Sequence, residues 1–96
     1  MLVQEPIQKI QMFRESFSTT EAREIIASMI DPYLRHYRHE YMRLWEADHE
    51  FDSREIDRKI GRLKSLKSEL EDSIRQADAN GTRVNIESFV DLRLSK

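Results

Sequence analysis

The chain has 96 residues with a formal net charge of −2, and 35% of its residues are charged. It contains only two glycines, two prolines and no cysteine. This composition excludes collagen-like, mucin-like and disulfide-stabilised folds, and it disfavours an all-β fold with many turns. The 39% of hydrophobic residues suffice for one modest core.

Charge and cysteine content also limit the classes of partner. No stretch approaches the roughly 20 apolar residues that a membrane-spanning helix needs, so we expect no membrane partner. The near-neutral charge disfavours a dedicated nucleic-acid binder and a polybasic membrane anchor. The absence of cysteine removes thiolate nucleophiles and cysteine-ligated metals, and it is compatible with the cytoplasmic location that we expect.

Two short helices are predicted at the start of the chain. The first covers about 5–17, because Pro6 suits a first helical turn and apolar residues recur at helical spacing. The segment Ser18-Thr19-Thr20-Glu21 reads as a capping box that ends it and begins a second helix over about 19–30. The apolar stripe of the second helix consists of Ala22, Ile25, Ile26, Met29 and Ile30.

Two longer helices follow. Asp31-Pro32 predicts a helix restart, since Asp is a good N-cap and Pro is favoured at the first helical position. The third helix would then cover about 32–50. Asp52-Ser53-Arg54-Glu55 reads as a second capping box, which begins a fourth helix over about 53–79. Its heptad seam consists of Ile56, Ile60, Leu63, Lys67, Leu70, Ile74 and Ala77.

The third and fourth helices could form one long rod or a hairpin. The step from Phe51 to Ile56 breaks the alternation of three and four residues, and a turn at 50–53 would restore both stripes to one core. We therefore favour the hairpin. Asn80-Gly81 predicts the end of the fourth helix. The segment beyond it alternates like a strand, although a short helix through Phe89 would fit as well.

These elements predict an all-α fold, a small helical bundle dominated by a long antiparallel hairpin of about 32–50 and 53–79. Two shorter N-terminal helices would pack across the hairpin. We expect residues 1–81 to form a helical domain and residues 82–96 a C-terminal segment, a short strand or helix that depends on a partner.

The segment from Tyr33 to Trp45 interleaves aromatic and basic residues, as a groove for single-stranded nucleic acid does. On a helix, however, the tyrosines and the arginines fall on opposite sides. The favoured interpretation places the aromatic residues in the core and the arginines in solvent. The alternative is a nucleic-acid or nucleotide site that uses Arg35, Arg38 and Arg43.

The histidines give little support to a metal site. His36, His39 and Glu40 are close on one helix, but they do not match the HExxH pattern, and Arg35 and Arg43 flank His39. Surface ion pairs of Glu40 explain the same residues. We therefore predict no metal and no cofactor.

Two charged residues occupy positions where an apolar residue is expected. Asp48 shares a face with the tyrosines, so it needs either a cationic partner or a place at the helix end. Lys67 lies in the heptad seam, where it would either fix register and oligomer number or extend its ammonium to water or to Glu71.

No catalytic motif stands out, and we predict a protein without enzymatic activity: an oligomeric adaptor, assembly factor or inhibitor with a regulatory role. Amphipathic helix faces would bind another protein or a second copy in a coiled-coil manner. The candidate partner-binding residues are Tyr37, Tyr41, Trp45, Lys67, Leu70, Ile74 and Phe89. The competing hypotheses are a nucleic-acid binder and an enzyme with a site between subunits.

Overall fold

The computed structural model describes residues 5–94 as two strands and two helices. Their order is β1 (Glu5–Phe17), α1 (Thr19–Ala47), α2 (Arg54–Ala79) and β2 (Val84–Leu94). The two strands form one antiparallel two-stranded sheet, and the two helices form a hairpin between them. The predicted all-α fold is therefore wrong, and the chain is an α+β protein.

The first predicted helix, over about 5–17, is strand β1. Its register against β2 shifts between Gln11 and Phe13, so that Met12 is an extra residue in β1. Ile10 pairs with Val90 and Phe13 with Ser88. Since Ser88 and Val90 are two positions apart on one strand, Ile10 and Phe13 share a face although they are three positions apart. This bulge gives the strand an apolar spacing that resembles that of a helix.

The second and third predicted helices are one helix, α1, which continues through Pro32. Pro32 has no N–H to donate to the carbonyl of Ser28, and both residues are exposed, so water can satisfy that carbonyl. On the opposite side Ile30 and Leu34 are buried and continue the stripe past the proline. Asp31 is therefore not an N-cap. The helix ends at Ala47, three residues before the predicted end.

A helical hairpin is confirmed, although its arms are Thr19–Ala47 and Arg54–Ala79 instead of the predicted 32–50 and 53–79. Contacts between the two helices show that they are antiparallel: Thr19 at the start of α1 donates to Asp78 near the end of α2 over 2.9 Å, and the Lys59 ammonium near the start of α2 lies 5.4 Å from the Tyr37 ring centroid. The core lies at the end of the hairpin where α1 begins. It consists of Ala22, Ile26, Ile30, Leu34 and Ile74, with Phe17, Ile60, Leu63, Leu70, Val84 and Ile86 packed against it.

The helix boundaries confirm one capping box and correct the other. The Ser18 hydroxyl accepts from the Glu21 N–H at 3.1 Å, and the Glu21 carboxylate accepts from the Ser18 N–H at 3.1 Å. At α2 the N-cap is Ser53, whose hydroxyl donates to Asp57 instead of capping a backbone N–H. The second capping box is therefore absent. Gly81 follows α2 with φ +67°, as the predicted stop requires.

The C-terminal segment, left open between strand and helix, is strand β2. It pairs with β1 from Phe17–Val84 at the hairpin to Glu5–Leu94 at the far end. Only the first pairs touch the core, since Phe17, Val84 and Ile86 pack against it. The sheet is thus a ribbon whose base rests on the helices and whose tip extends beyond them. The molecule measures 50 × 33 × 18 Å.

Candidate functional site

The ribbon has two chemically different faces. Side chains of a strand alternate between faces, and directly paired residues share one. One face, called the apolar face below, includes Val84, Ile86, Ser88, Val90, Leu92 and Leu94 of β2, with Ile10, Phe13 and Phe17 of β1; the exposed polar residues Gln8 and Glu15 of β1 share this face. The other, the polar face, includes Asn85, Glu87, Phe89, Asp91 and Arg93 of β2.

The polar face satisfies its own groups. Gln11 donates to Glu87 over 2.9 Å. Arg93 holds Asp91 at 3.2 Å. The large apolar residue on this face, Phe89, has the ammonium of Lys9 5.5 Å from its ring centroid. Such contacts are typical of a solvent-exposed surface.

The apolar face is buried or partly buried at its base and exposed at its tip. At the base, Val84 and Ile86 pack on the helical core and Ser88 is buried. Beyond them Val90, Leu92 and Leu94 are 38%, 48% and 67% exposed. Ile10 and Met12 on the neighbouring strand are exposed as well. The same alternation that places Ile86 on the helices therefore continues past them with nothing among the described residues to cover it.

An apolar groove of about 490 Å³ runs beside the base of β2. Its floor comes from Ile26 and Met29 of α1 and from Leu70 and Ile74 of α2, and its wall comes from consecutive residues 83–87. Among the described residues none from β1 lines it. The groove therefore lies on the side of β2 away from β1, along the unpaired edge of that strand.

Three of the predicted partner-binding residues lie inside the hairpin. Ile74 is 3% exposed, and Leu70 packs against the core. The Lys67 ammonium donates to the Asp31 carboxylate over 2.7 Å, with both side chains partly buried. The seam lysine thus has its partner on the neighbouring helix of the same chain, a role that the assignment of Asp31 as an N-cap concealed.

The aromatic candidates lie at the edges of the hairpin and on the ribbon, so the prediction that the aromatic residues of helix 33–45 fill the core is wrong. Tyr41 packs against Phe51, and Trp45 lies 4.0 Å from the ring of His49. Tyr37 is half-buried. Phe89 lies on the polar face of the ribbon, far along the chain from the other three. The structure therefore does not gather these four aromatic residues into one surface.

The arginines of the nucleic-acid alternative are all exposed: Arg35, Arg38 and Arg43. A different set of cations meets the tyrosines. Tyr33 and Tyr37 line a shallow groove of about 300 Å³ with Lys59, Arg62 and Leu63 of α2. The Lys59 ammonium lies 5.4 Å from the Tyr37 ring centroid. The sequence of α1 alone does not reveal this arrangement, because the cations belong to α2.

The remaining charged candidates form local surface contacts. His36 lies 3.5 Å from Glu40, the ion pair that the spacing predicts. Within residues 5–94 no three His, Asp or Glu side chains converge on a position suited to a metal ion. Asp48 is the C-cap of α1, and its carboxylate accepts from the Glu50 N–H at 2.9 Å, so it occupies the helix-end position considered above.

Two surface carboxylates have a lowered pKa, and both lie at helix starts. The Ser18 N–H, followed by the Ser18 hydroxyl and the charge of Arg83, lowers the pKa of Glu21. Hydrogen bonds from the Arg54 side chain and backbone lower the pKa of Asp52, and the same pair raises the pKa of Arg54. The hydrogen bonds that cause these shifts belong to the starts of the two helices, and the shifts do not indicate a reacting group.

In the described part of the chain, neither helix has a segment both long and apolar enough to cross a bilayer. Comparison of the chain with protein-family models, with curated proteins and with solved structures gave no match in any of the three.

Proposed function

We propose that this chain is a non-enzymatic protein-interaction module, an adaptor, assembly factor or inhibitor that binds its partner through the tip of the ribbon. One observation supports this proposal above the others: the apolar face continues past the helices and remains uncovered at Val90, Leu92 and Leu94. Contiguous exposed apolar surface is typical of docking sites. A cytoplasmic location is compatible with the absence of cysteine.

The ribbon replaces the hairpin seam as the proposed binding surface. Leu70 and Ile74 pack inside the hairpin, whereas no residue of the described range 5–94 covers the apolar face at the ribbon tip. A two-stranded ribbon is only marginally stable in water on its own, so a partner that covers the tip would also order it.

Photo-crosslinking tests the proposal with matched positions on the two faces of the ribbon. A benzophenone side chain is introduced at Leu92 on the apolar face or at Lys9, which pairs with Asp91 on the polar face, and the chain is irradiated in extract of its host. We expect discrete covalent adducts, with a second copy or with another protein, from position 92 and few from position 9. Equal labelling from both positions, or none from position 92, would contradict the proposal.

One observation favours the nucleic-acid alternative as a second candidate. The groove between the helices places the Tyr33 and Tyr37 rings beside Lys59 and Arg62, which is the combination that stacks bases and neutralises phosphates. Binding of a fluorescent oligonucleotide should then weaken steeply with salt and fall further on Lys59→Glu. No binding at low salt would eliminate this candidate.

A further inference from the structure

The two outer edges of the ribbon differ in their capacity to pair. β1 contains both register irregularities, between Pro6 and Gln8 and between Gln11 and Phe13, and it contains the only proline of the ribbon within residues 5–94. Bulges and prolines obstruct the addition of a further strand. β2 is an 11-residue strand without a bulge or proline. Its outer edge is therefore the one suited to accept another strand.

The same edge combines an exposed apolar tip with an unfilled apolar groove. The tip offers Leu92 and Leu94, and the groove at the base is floored by residues of both helices. If a further strand pairs antiparallel with β2 along this edge, the C-terminal end of that strand lies at the base of β2, beside the groove. If that strand is itself β2, the tip of each copy reaches the groove of the other, which is the self-complementarity that a two-fold interface requires.

We propose that two copies of this chain pair antiparallel through the outer edges of β2 and form a continuous four-stranded sheet. This inference rests on the proposed interaction function and names the occupant of the apolar face. Residues directly opposite each other in an antiparallel pair point to the same face of the sheet. When β2 pairs with itself about a two-fold axis, its even-numbered residues lie opposite even-numbered residues, so the apolar faces of both ribbons join on one side. The hairpins of the two copies then lie on that side, one at each end of the sheet.

Charge distinguishes between two neighbouring registers. When the pairing is centred on Val90, Glu87 lies directly opposite Arg93 of the second copy, and the two-fold axis repeats this pair. When it is centred on Phe89, Glu87 instead faces Asp91, and like charges directly opposite are unfavourable. In the Val90 register, Leu94 of the second copy lies beside Ile86, a residue that lines the groove. The Arg93 guanidinium has five donors, so it can bind Glu87 of the second copy and keep its contact with Asp91 on its own strand.

Because the chain has no cysteine, a single introduced thiol reports its own surroundings. In the proposed register two Val90→Cys thiols face each other at Cβ distances of about 5 Å, whereas two Phe89→Cys thiols are about 7–8 Å apart. Ile10→Cys is the matched control, since Ile10 pairs with Val90 but belongs to β1. Its two thiols would be separated by three strand spacings, roughly 14 Å.

Sedimentation of the unmodified chain should give the mass of two copies, and mild oxidation should link Val90→Cys at least tenfold faster than Phe89→Cys or Ile10→Cys. Arg93→Glu should weaken the dimer by about tenfold, and addition of Glu87→Arg should restore it. A monomer at all concentrations, or equal linking at positions 10, 89 and 90, would overturn the inference. Adducts from position 92 with a different protein would then leave the interaction function in place, and the absence of any adduct would remove both.

Discussion

The ion pair between Lys67 and Asp31 gives a quantitative test of the hairpin. The two charged atoms lie 2.7 Å apart, and the side chains are 29% and 37% exposed, between a surface pair and a buried one. Exposed pairs stabilise by about 0.2–1 kcal/mol, and hydrogen bonds to charged groups by about 1.5–3 kcal/mol. Since water still reaches both groups, we expect a coupling energy of about 1 kcal/mol.

A double-mutant cycle of Lys67→Met, Asp31→Ala and the combined variant measures this coupling by urea unfolding at one fixed chain concentration. Methionine keeps most of the lysine stem in the seam, and the helix propensity gained by alanine cancels in the cycle. The exposed pair of Lys59 and Glu55, 3.5 Å apart on α2, is the control and should give about 0.3 kcal/mol. A coupling no larger than that of the control would refute the contact across the hairpin.

Three further predictions concern the course of the backbone and the helix start. Pro32→Ala should raise the free energy of unfolding by about 1–3 kcal/mol because it restores a helical N–H; a neutral or destabilising effect would favour a helix that restarts at residue 32. Gly81→Ala should destabilise the folded chain by about 1 kcal/mol because φ at residue 81 is +67°. Gly61→Ala should instead stabilise it by about 0.5–1 kcal/mol, since a Cβ added at this helical position meets nothing within 4 Å. Urea midpoints of the two variants that move in the same direction would contradict this. At neutral pH Glu21→Gln should lower the free energy of unfolding, because the folded-state pKa of Glu21 is lowered and its charged form therefore stabilises the fold. The difference from wild type should shrink as pH falls from about 5 towards 3. A difference that does not change with pH would exclude this role.

Local sequence signals predicted the second helix of the hairpin and the start of the first. The heptad seam from Ile56 to Ala77 and the Ser18 capping box both depend on neighbouring residues, and the structure contains α2 and the cap where they were expected. Such features need no knowledge of distant contacts.

The errors arose where distant residues decide. Ile10 and Phe13 have helical spacing, but a bulge against β2 places them on one face of a strand. Pro32 normally begins a helix, but burial of Ile30 and Leu34 on the same stripe keeps α1 continuous across it. The alternation of Val90, Leu92 and Leu94 was visible in the sequence. Their exposure was not, because it depends on where the helices end relative to the ribbon.

The pairing of β1 with β2 also determines the order in which the molecule can fold. Gln11 and Glu87 are 76 residues apart in the chain, so closing that loop from an unfolded state is slow and entropically costly. Once the hairpin forms, it brings Phe17 and Val84 together, and each further pair then closes only a small additional loop. The ribbon should therefore zip from the helices outward and open again from its tip, which makes its far end the first region to exchange amide hydrogens while the hairpin stays folded.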